Sequence, residues 1–385
     1  MKEIYFDNAS TTKPSQAVLD VMIRTMTEDY GNPSSMHAKG VAAEKYLKNA
    51  RKVIAGILRV SEKEICFTSG GTESDNWALC GAALAMKRRG GTILTTEMEH
   101  PAVSEPLRFL EKNGFTVRKI PVDPEGHPDT GALAELLTDD VILVSVMYVN
   151  NEIGSIAPVG QIARMVHTAC PHALFHVDAI QAFGKLMIRP KTEGIDLMSV
   201  SGHKLHGPKG TGFLYIRDGV RILPLIYGGG QQGGMRSGTE NVPGIAGLAE
   251  ACREAYDHFE EKTAHMAALR DRLEAGLAEM DGVVIHGGEA AQRAPHIVHA
   301  AFTGVGSEVL LHTLENDGIY VSAGSACSTH KRLASPTMTA IGAPAEEVSS
   351  SVRFSFSELN TEEEVDETLA VLRRVLPLLR RYRSH

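Results

Sequence analysis

Short apolar runs alternate through the first half of the chain with segments in which apolar residues recur at helical spacing. The apolar runs predict strands at 65–68, 92–96, 117–122, 141–149, 174–180, 195–200 and 211–216. The segments between them predict helices at 72–87, 102–112, 130–137 and 159–169. Strands that are buried on both faces and separated by helices indicate an α/β fold with a mostly parallel central sheet flanked by helices.

The pattern changes after residue 244. The stretch 245–280 is rich in Ala, Glu and Arg and predicts a long helical segment that leads into a second unit. That unit has strand patterns at 283–285, 297–302, 320–322 and 351–356, and helix patterns at 307–316 and 361–379. Thr361 and Glu364 form a capping-box signature at the start of the last helix. We therefore predict a large domain at 15–260 and a smaller α+β domain built from 1–14 with 261–385.

Composition narrows the classes of function. The 385 residues include 39 Lys and Arg against 47 Asp and Glu, so the net charge of −8 argues against a nucleic-acid-binding protein. The longest apolar run, 141–149, is too short to cross a bilayer, and the first residues lack the apolar segment of a signal peptide. Five scattered cysteines, an odd number, favour the reducing cytoplasm. We expect a cytoplasmic protein with no direct contact to nucleic acid or membrane.

A glycine pair lies between a predicted strand and a predicted helix. Gly70 and Gly71 allow a ligand to approach the backbone, and Thr72 adds a hydroxyl donor at the start of the helix. A helix that begins there presents free N–H groups, which suits an anion or a phosphate. Taken alone, the segment also fits an ordinary turn between a strand and a helix, which is the commoner case.

Two charged residues follow predicted strand ends. Asp178 closes the strand at 174–180, and Lys204 lies 26 positions later in a loop rich in Gly, Ser and His. Ligands of open α/β sheets bind at the carboxyl ends of the strands, although Asp178 could instead belong to a structural ion pair and Lys204 to the surface. Pyridoxal phosphate needs a phosphate cup, an anion for its ring nitrogen and a lysine for its aldehyde, which Thr72, Asp178 and Lys204 supply together.

Other glycine and histidine patterns are weaker. The stretch 228–233 matches the G-x-G-x-x-G sequence of dinucleotide-binding sites, but no helix is predicted to begin there. The stretch 202–209 resembles a phosphate-binding loop but has Pro208 where lysine is required. Two histidine pairs, His203 with His206 and His296 with His299, have a spacing found in metal sites but no obvious third ligand. We expect no resident metal.

Seven sequence blocks in order carry a family resemblance. They read T-S-G-G-T-E-S-D-N, E-M-E-H, V-N-N-E-I-G, H-V-D-A-I-Q, S-G-H-K, M-R-S-G-T-E-N and S-A-G-S-A-C. The chain resembles the pyridoxal-phosphate-dependent cysteine desulfurases of the NifS/IscS type, in the class V aminotransferase family, over almost its whole length. The resemblance implies the fold of type I pyridoxal-phosphate enzymes.

The resemblance also implies roles for the cofactor site. Lys204 would form the Schiff base with the cofactor and move protons, and His100 would stack on the cofactor ring and assist proton transfer. Asp178 would pair with the ring nitrogen, and Gln181 would bind the phenolic oxygen. The remaining cofactor-binding residues implied are Gly71, Thr72, Asn151, Ser201, His203 and Thr239. Thr239 would reach the phosphate of the other subunit, which implies a homodimer.

Substrate handling follows from the same resemblance. Asn151 and Arg353 would fix the carboxylate of L-cysteine, and Cys327 would be the catalytic nucleophile that takes the sulfur as a persulfide. Cys327 lies among small residues, whereas the other four cysteines lie in apolar contexts typical of packing. The resemblance also allows Cys327 a transient role as an iron–sulfur ligand. Gln232 and Gly233 replace a Glu-Arg pair of the family, which puts any ion pair there in doubt.

The implied function is conversion of L-cysteine to L-alanine with transfer of the sulfur to an acceptor protein, such as an iron–sulfur scaffold, for iron–sulfur cluster assembly or tRNA thiolation. Three alternatives stay open. They are a selenocysteine lyase or another class V lyase, a plain aminotransferase, and an inactive binding platform for sulfur-transfer partners.

Overall fold

The computed structural model describes residues 3–323 and 335–382. Its strands are β1 Ile4–Tyr5, β2 Ile65–Thr68, β3 Thr92–Thr96, β4 Thr116–Ile120, β5 Val141–Met147, β6 Leu174–Asp178, β7 Leu197–Ser201, β8 Gly212–Ile216, β9 Val283–His286, β10 Ile297–Phe302, β11 Ile319–Tyr320, β12 Ser322–Ala323 and β13 Ser351–Ser355. Its helices are α1 Gln16–Thr27, α2 Ala38–Leu58, α3 Gly71–Met86, α4 Pro101–Lys112, α5 Thr130–Leu136, α6 Val159–Ala169, α7 Pro190–Glu193, α8 Val242–Tyr256, α9 Phe259–Ala278, α10 Ser307–Asn316, α11 Pro336–Ala340, α12 Ala345–Ser350 and α13 Glu362–Tyr382.

A seven-stranded sheet forms the centre of the larger part of the molecule. Its strand order is β2-β8-β7-β6-β5-β3-β4, and every pairing is parallel except the two made by β8. Strands β3, β5, β6 and β7 are buried along their whole length. This burial explains their continuous apolar runs and confirms the predicted sheet.

A second, smaller set of strands lies towards the C-terminus. Strands β12-β13-β10-β9 form an antiparallel sheet, and β1 pairs with β11 in parallel. Ile4 and Phe6 belong to one apolar cluster together with residues between 269 and 376. The N-terminal segment therefore packs with the C-terminal elements. The domain boundaries at 14 and 260 stay a prediction.

The long helical stretch predicted at 245–280 is divided. Helix α8 ends at Tyr256 and α9 begins at Phe259, because Asp257 is extended and His258 has a left-handed backbone with φ of 51°. The capping box predicted for α13 is present. The Thr361 backbone N–H donates to Glu364 Oε2, and the Glu364 N–H donates to Thr361 Oγ1. Within the described part of the chain, no helix is both long and apolar enough to cross a membrane.

Candidate active site

One cavity lies where β5, β6 and β7 end and α3 begins. Its volume of about 270 Å³ is near the lower end of the range typical of small-molecule sites. Ten of the twelve site residues named from the sequence line it: Gly71, Thr72, His100, Asn151, Asp178, Gln181, Ser201, His203, Lys204 and Arg353. The structure brings these residues together from segments as distant as α3 and β13, but their individual roles remain predictions.

One end of the cavity is built by backbone at the start of α3. Gly70 has a φ of 146°, a conformation that favours glycine. A Cβ on Gly71 would lie 2.2 Å from Ile180 Cδ1, so only glycine fits there without displacing that side chain. The free N–H groups of a 16-residue helix open into this space beside Thr72 and Ser201. This end therefore suits a phosphate group.

His203 lies at the same end of the cavity. Its Nδ1 is 3.2 Å from Thr11 Oγ1. Burial, together with the positive charges of Lys204 and Lys209, lowers the pKa of His203 to about 4. The imidazole is therefore neutral at neutral pH and can act as a hydrogen-bond donor through one nitrogen. Lys209, which was not predicted from the sequence as a site residue, also lines the polar space around this end.

Asp178 and Lys204 provide opposite charges in the cavity. The Asp178 carboxyl accepts a hydrogen bond from the Ile180 backbone N–H at 3.0 Å. Burial raises the pKa of Asp178 to about 6. Lys204 Nζ donates to the carbonyl oxygens of Ala9 at 2.7 Å and Ser10 at 2.8 Å. A buried carboxyl with a raised pKa gains from a cationic ring nitrogen, so Asp178 fits pyridoxal phosphate on chemical grounds.

A buried polar network that was not predicted from the sequence lies next to Asp178. His176 Nδ1 is 2.8 Å from Ser145 Oγ, and its Nε2 is 3.0 Å from Ser199 Oγ and 3.5 Å from Asp75 Oδ1. Burial and the nearby Asp178 charge raise the pKa of Asp75, while burial lowers that of His176 to about 3. The available signal was a carboxylate on the otherwise apolar face of α3.

His100 caps the N-terminus of α4. Its Nδ1 accepts a hydrogen bond from the Ala102 backbone N–H at 3.1 Å, so that nitrogen carries no proton. Burial and the positive charge of Lys204 lower the pKa of His100. The neutral ring therefore carries its proton on Nε2.

Arg353 reaches the cavity from β13. Its Nη2 donates to Asp7 Oδ1 at 2.9 Å and to Ser10 Oγ at 2.6 Å, and its Nη1 donates to the backbone oxygen of Asn151 at 2.7 Å. These contacts hold the guanidinium in the lining of the cavity that Lys204 also lines. A fixed guanidinium suits a carboxylate ligand.

Two of the twelve residues do not join this cavity. Thr239 is exposed and lines a separate surface cavity with Met26 and Tyr30. Cys327 lies outside the described residues. The four other cysteines are buried, and burial raises the pKa of each thiol: Cys66, Cys80, Cys170 and Cys252.

Comparison with known proteins gives the family. The class V aminotransferase family matches residues 4–368. The cysteine desulfurase IscS of Methanosarcina thermophila is 42% identical over 379 residues, which cover 98% of this chain and 93% of that protein. This chain belongs to the class V aminotransferase family. Its similarity to that relative places it with the cysteine desulfurases of the NifS/IscS type.

Solved structures of the family agree. A NifS-like protein superposes with a TM-score of 0.93 at 40% identity, over 98% of this chain and 100% of the other. The protein SspA in complex with cysteine superposes with a TM-score of 0.82 at 30% identity, over 94% of this chain and 100% of SspA. The family, the α/β fold and the pyridoxal phosphate cofactor predicted from the sequence are thus confirmed.

Gln232, where this chain departs from the family pattern, joins two charged residues. Arg51 Nη2 donates to Gln232 Oε1 at 2.8 Å, and Gln232 Nε2 donates to Glu240 Oε1 at 2.7 Å. The Phe67 backbone N–H also donates to Oε1, at 3.2 Å. A neutral amide therefore connects an arginine to a glutamate in this chain.

Proposed function

We propose that this chain is a desulfurase that removes sulfur from L-cysteine and holds it on Cys327 before passing it to an acceptor. The observation that carries the proposal is the convergence of Lys204, Asp178 and the start of α3 on one cavity. The membership of the chain in the NifS/IscS group supports the same activity.

The residues of the cavity have distinct tasks in this proposal. Bound pyridoxal phosphate would supply an electron sink that weakens the bonds at the α-carbon of the amino acid. The N-terminus of α3, with Thr72, Ser201 and His203, would hold the phosphate. Asp178 would hold the proton of the ring nitrogen, and Gln181 would donate to the phenolic oxygen.

Substrate chemistry falls to the remaining residues. Arg353 would bind the substrate carboxylate, with Asn151 beside it, and Lys204 Nζ and His100 Nε2 would move protons. The Cys327 thiolate would attack the substrate sulfur, and the electrons of the broken C–S bond would stay on carbon, which takes up a proton. L-cysteine and the Cys327 thiol thus give L-alanine and a persulfide, which a thiol reductant releases as sulfide.

The activity is tested by incubating the purified holoenzyme with L-cysteine and a thiol reductant while sulfide and alanine are measured together. We expect equal amounts of the two products. Pyruvate formed from alanine and a keto acid would instead indicate an aminotransferase, and bound cofactor without any turnover would contradict the proposed substrate.

Asp178→Asn is expected to stabilise the cofactor-free protein and to weaken cofactor binding. The folded-state pKa of Asp178, about 6, lies above the unfolded value of about 3.9. The protonated Asp178 carboxyl favours the folded state, and this contribution to the free energy of unfolding is fully present below pH 4. It is lost as the pH rises through about 6, where the buried carboxyl must ionise. At pH 8 the cofactor-free variant should be more stable by on the order of 1 to 3 kcal/mol, measured by urea unfolding.

Added pyridoxal phosphate should reverse that difference, because asparagine cannot pair ionically with the ring nitrogen. The matched control is Asp139→Asn at an exposed site, which should change neither quantity. A variant that is no more stable at pH 8 than the wild type would contradict the ionisation of Asp178 in a buried setting.

We also propose a homodimer in which Thr239 serves the partner's site. Large apolar side chains are exposed around the cavity that contains Thr239, including Met26 at 54% and Tyr30 at 66% exposure. Met36, at 99%, and Tyr227, at 74%, add to the exposed apolar area of the chain. A contiguous apolar patch often marks a protein–protein interface, and Met26 and Tyr30 lie together at the cavity of Thr239.

Mixed subunits test the shared site. A Lys204→Ala chain lacks its own lysine, and a Thr239→Asp chain places a negative charge where the partner's phosphate would lie. Each variant alone should be nearly inactive, but subunits mixed in equal amounts should regain about a quarter of the wild-type rate, because half of the dimers contain one complete site. No recovery in verified mixed dimers would show that Thr239 does not act across subunits.

The acceptor and the compartment are further parts of the proposal. We propose an acceptor protein such as an iron–sulfur scaffold, with cluster assembly or tRNA thiolation as the pathway, and a cytoplasmic location. The buried free thiols of the described residues support a reducing compartment. Transfer of labelled sulfur from the enzyme to a purified scaffold would test the acceptor.

A further inference from the structure

His296 connects the smaller sheet to the cavity. It immediately precedes β10, is fully buried, and its backbone oxygen accepts a hydrogen bond from Phe356 N at 2.9 Å. Its Nε2 lies 3.4 Å from Oε1 of Gln181, a residue that lines the cavity. The imidazole therefore contacts a residue of the cavity lining but does not line the cavity itself.

The neighbours of Gln181 determine which way its amide points. Gln181 Nε2 is 2.9 Å from the backbone oxygen of Ala9, which can only accept a hydrogen bond. The amide nitrogen must therefore face Ala9, and the amide oxygen faces His296. Because an amide oxygen only accepts, His296 Nε2 must carry a proton and donate it to this contact.

The charges around His296 favour that neutral donor form. Burial is the main cause of its strongly lowered pKa, and four cations add to it: Lys185, Arg353, Arg270 and Lys204. Neutral imidazole carries one proton, which the Gln181 contact places on Nε2. Among the described residues, Nδ1 of His296 has no hydrogen-bond partner, so the contact to Gln181 is the one that this side chain makes there.

We propose that His296 is a positioning residue that holds the Gln181 amide with its nitrogen towards Ala9 and the cavity. The amide nitrogen has two hydrogens, and the one not used by Ala9 is available to the phenolic oxygen of pyridoxal phosphate. This inference rests on the proposed function, in which Gln181 binds that oxygen. Without His296, the buried amide oxygen would lose its donor, and Ala9 alone would hold the side chain, so the amide could move away from the phenolic oxygen.

The effect is measured on the holoenzyme by following the absorption band of the bound cofactor against pH. A donor to the phenolic oxygen stabilises its anionic form and so lowers the pKa of the chromophore. His296→Leu, which removes the donor at similar bulk, should raise that pKa by about 0.5 to 1 unit, the equivalent of one hydrogen bond. It should also weaken binding of pyridoxal phosphate to the cofactor-free protein by about threefold to tenfold.

The matched variant is His296→Gln, whose amide N–H₂ can still donate to Gln181, and it should behave like the wild type. If His296→Leu does not fold, as judged by circular dichroism, His296→Asn replaces it, because its shorter amide does not reach Gln181. Rescue by glutamine separates a positioning role from a structural one, since both variants lose the imidazole.

Gln181→Leu separates the inference from the proposed function. If Gln181→Leu leaves the chromophore pKa unchanged, the proposed contact of Gln181 with the cofactor fails, and the inference fails with it. If Gln181→Leu raises the pKa but the His296 variants do not, the function stands and the inference is overturned. If His296→Leu raises the pKa as much in the Gln181→Leu background as in the wild type, its effect does not pass through Gln181, which also overturns the inference. We expect no further rise in the double variant.

Discussion

Replacement of Lys204 with alanine or arginine is expected to lower the rate of sulfide and alanine formation by more than about a thousandfold, because the residue proposed to bond the cofactor and move protons is lost. Arginine is the informative change. It keeps a cation that can donate to the carbonyls of Ala9 and Ser10, which both accept hydrogen bonds from Lys204 Nζ. A guanidinium is not deprotonated in proteins, so it cannot act as a nucleophile or a base.

The measurement combines turnover with the absorbance of bound pyridoxal phosphate. Both variants should lose the absorption of the lysine-bound cofactor, even where the cofactor still binds. Lys52→Ala, at an exposed position on α2, is the control and should keep the full rate. If Lys204→Arg turned over L-cysteine at more than a small fraction of the wild-type rate, Lys204 would be a structural cation and the proposed chemistry would be wrong.

Replacement of Cys327 with serine or alanine is expected to reduce sulfide formation by at least about a hundredfold while leaving the bound cofactor in place. A hydroxyl cannot take up sulfur as a persulfide, and it is far less ionised than a thiol at neutral pH. Alanine and sulfide should fall together in a stopped assay. L-cysteine should still change the absorbance of the cofactor, because substrate binding does not need this thiol.

The other cysteines supply controls from the same chain. Burial raises the pKa of Cys66 to about 11 and also raises that of Cys252, so neither thiol is reactive at neutral pH. Cys80→Ala, at a buried position on α3, should keep the full rate. Full activity in Cys327→Ala would remove the persulfide from the mechanism and favour a direct lyase.

The central sheet was predictable from the sequence because its strands are buried on both faces. β3 at Thr92–Thr96 matches its predicted range, and the same holds for helix α6 at Val159–Ala169. The position of Asp178 at the end of β6 followed from the same pattern, which is why the cavity could be placed in advance. Strands that are buried on both faces need apolar residues at almost every position, so they can be recognised in the sequence as continuous apolar runs.

Other features depend on contacts that a single sequence does not reveal. Helix α2 was not predicted, because much of its buried face consists of Gly and Ala, such as Gly40, Ala43 and Ala50, which give little contrast with the polar face. Strand β8 runs antiparallel to its neighbours because of the way the loop between β7 and β8 returns the chain, which the residue types of β8 do not reveal. The network around His176 and the contact of His296 with Gln181 join residues that are far apart in the chain.

The first segment of the chain contributes to the active site but packs against residues that are made late in synthesis. Ile4 pairs with Ile319, and the Asn8 side chain donates to the backbone oxygen of Ser355 at 3.0 Å. The same segment supplies the carbonyl oxygens of Ala9 and Ser10 that bind Lys204. Domains tend to fold in order as the chain leaves the ribosome. The central sheet can therefore form early, whereas the segment around residues 4–10 reaches its final place only after residues 319 and 355 have been made. Lys204 gains its contacts with Ala9 and Ser10 at that later stage.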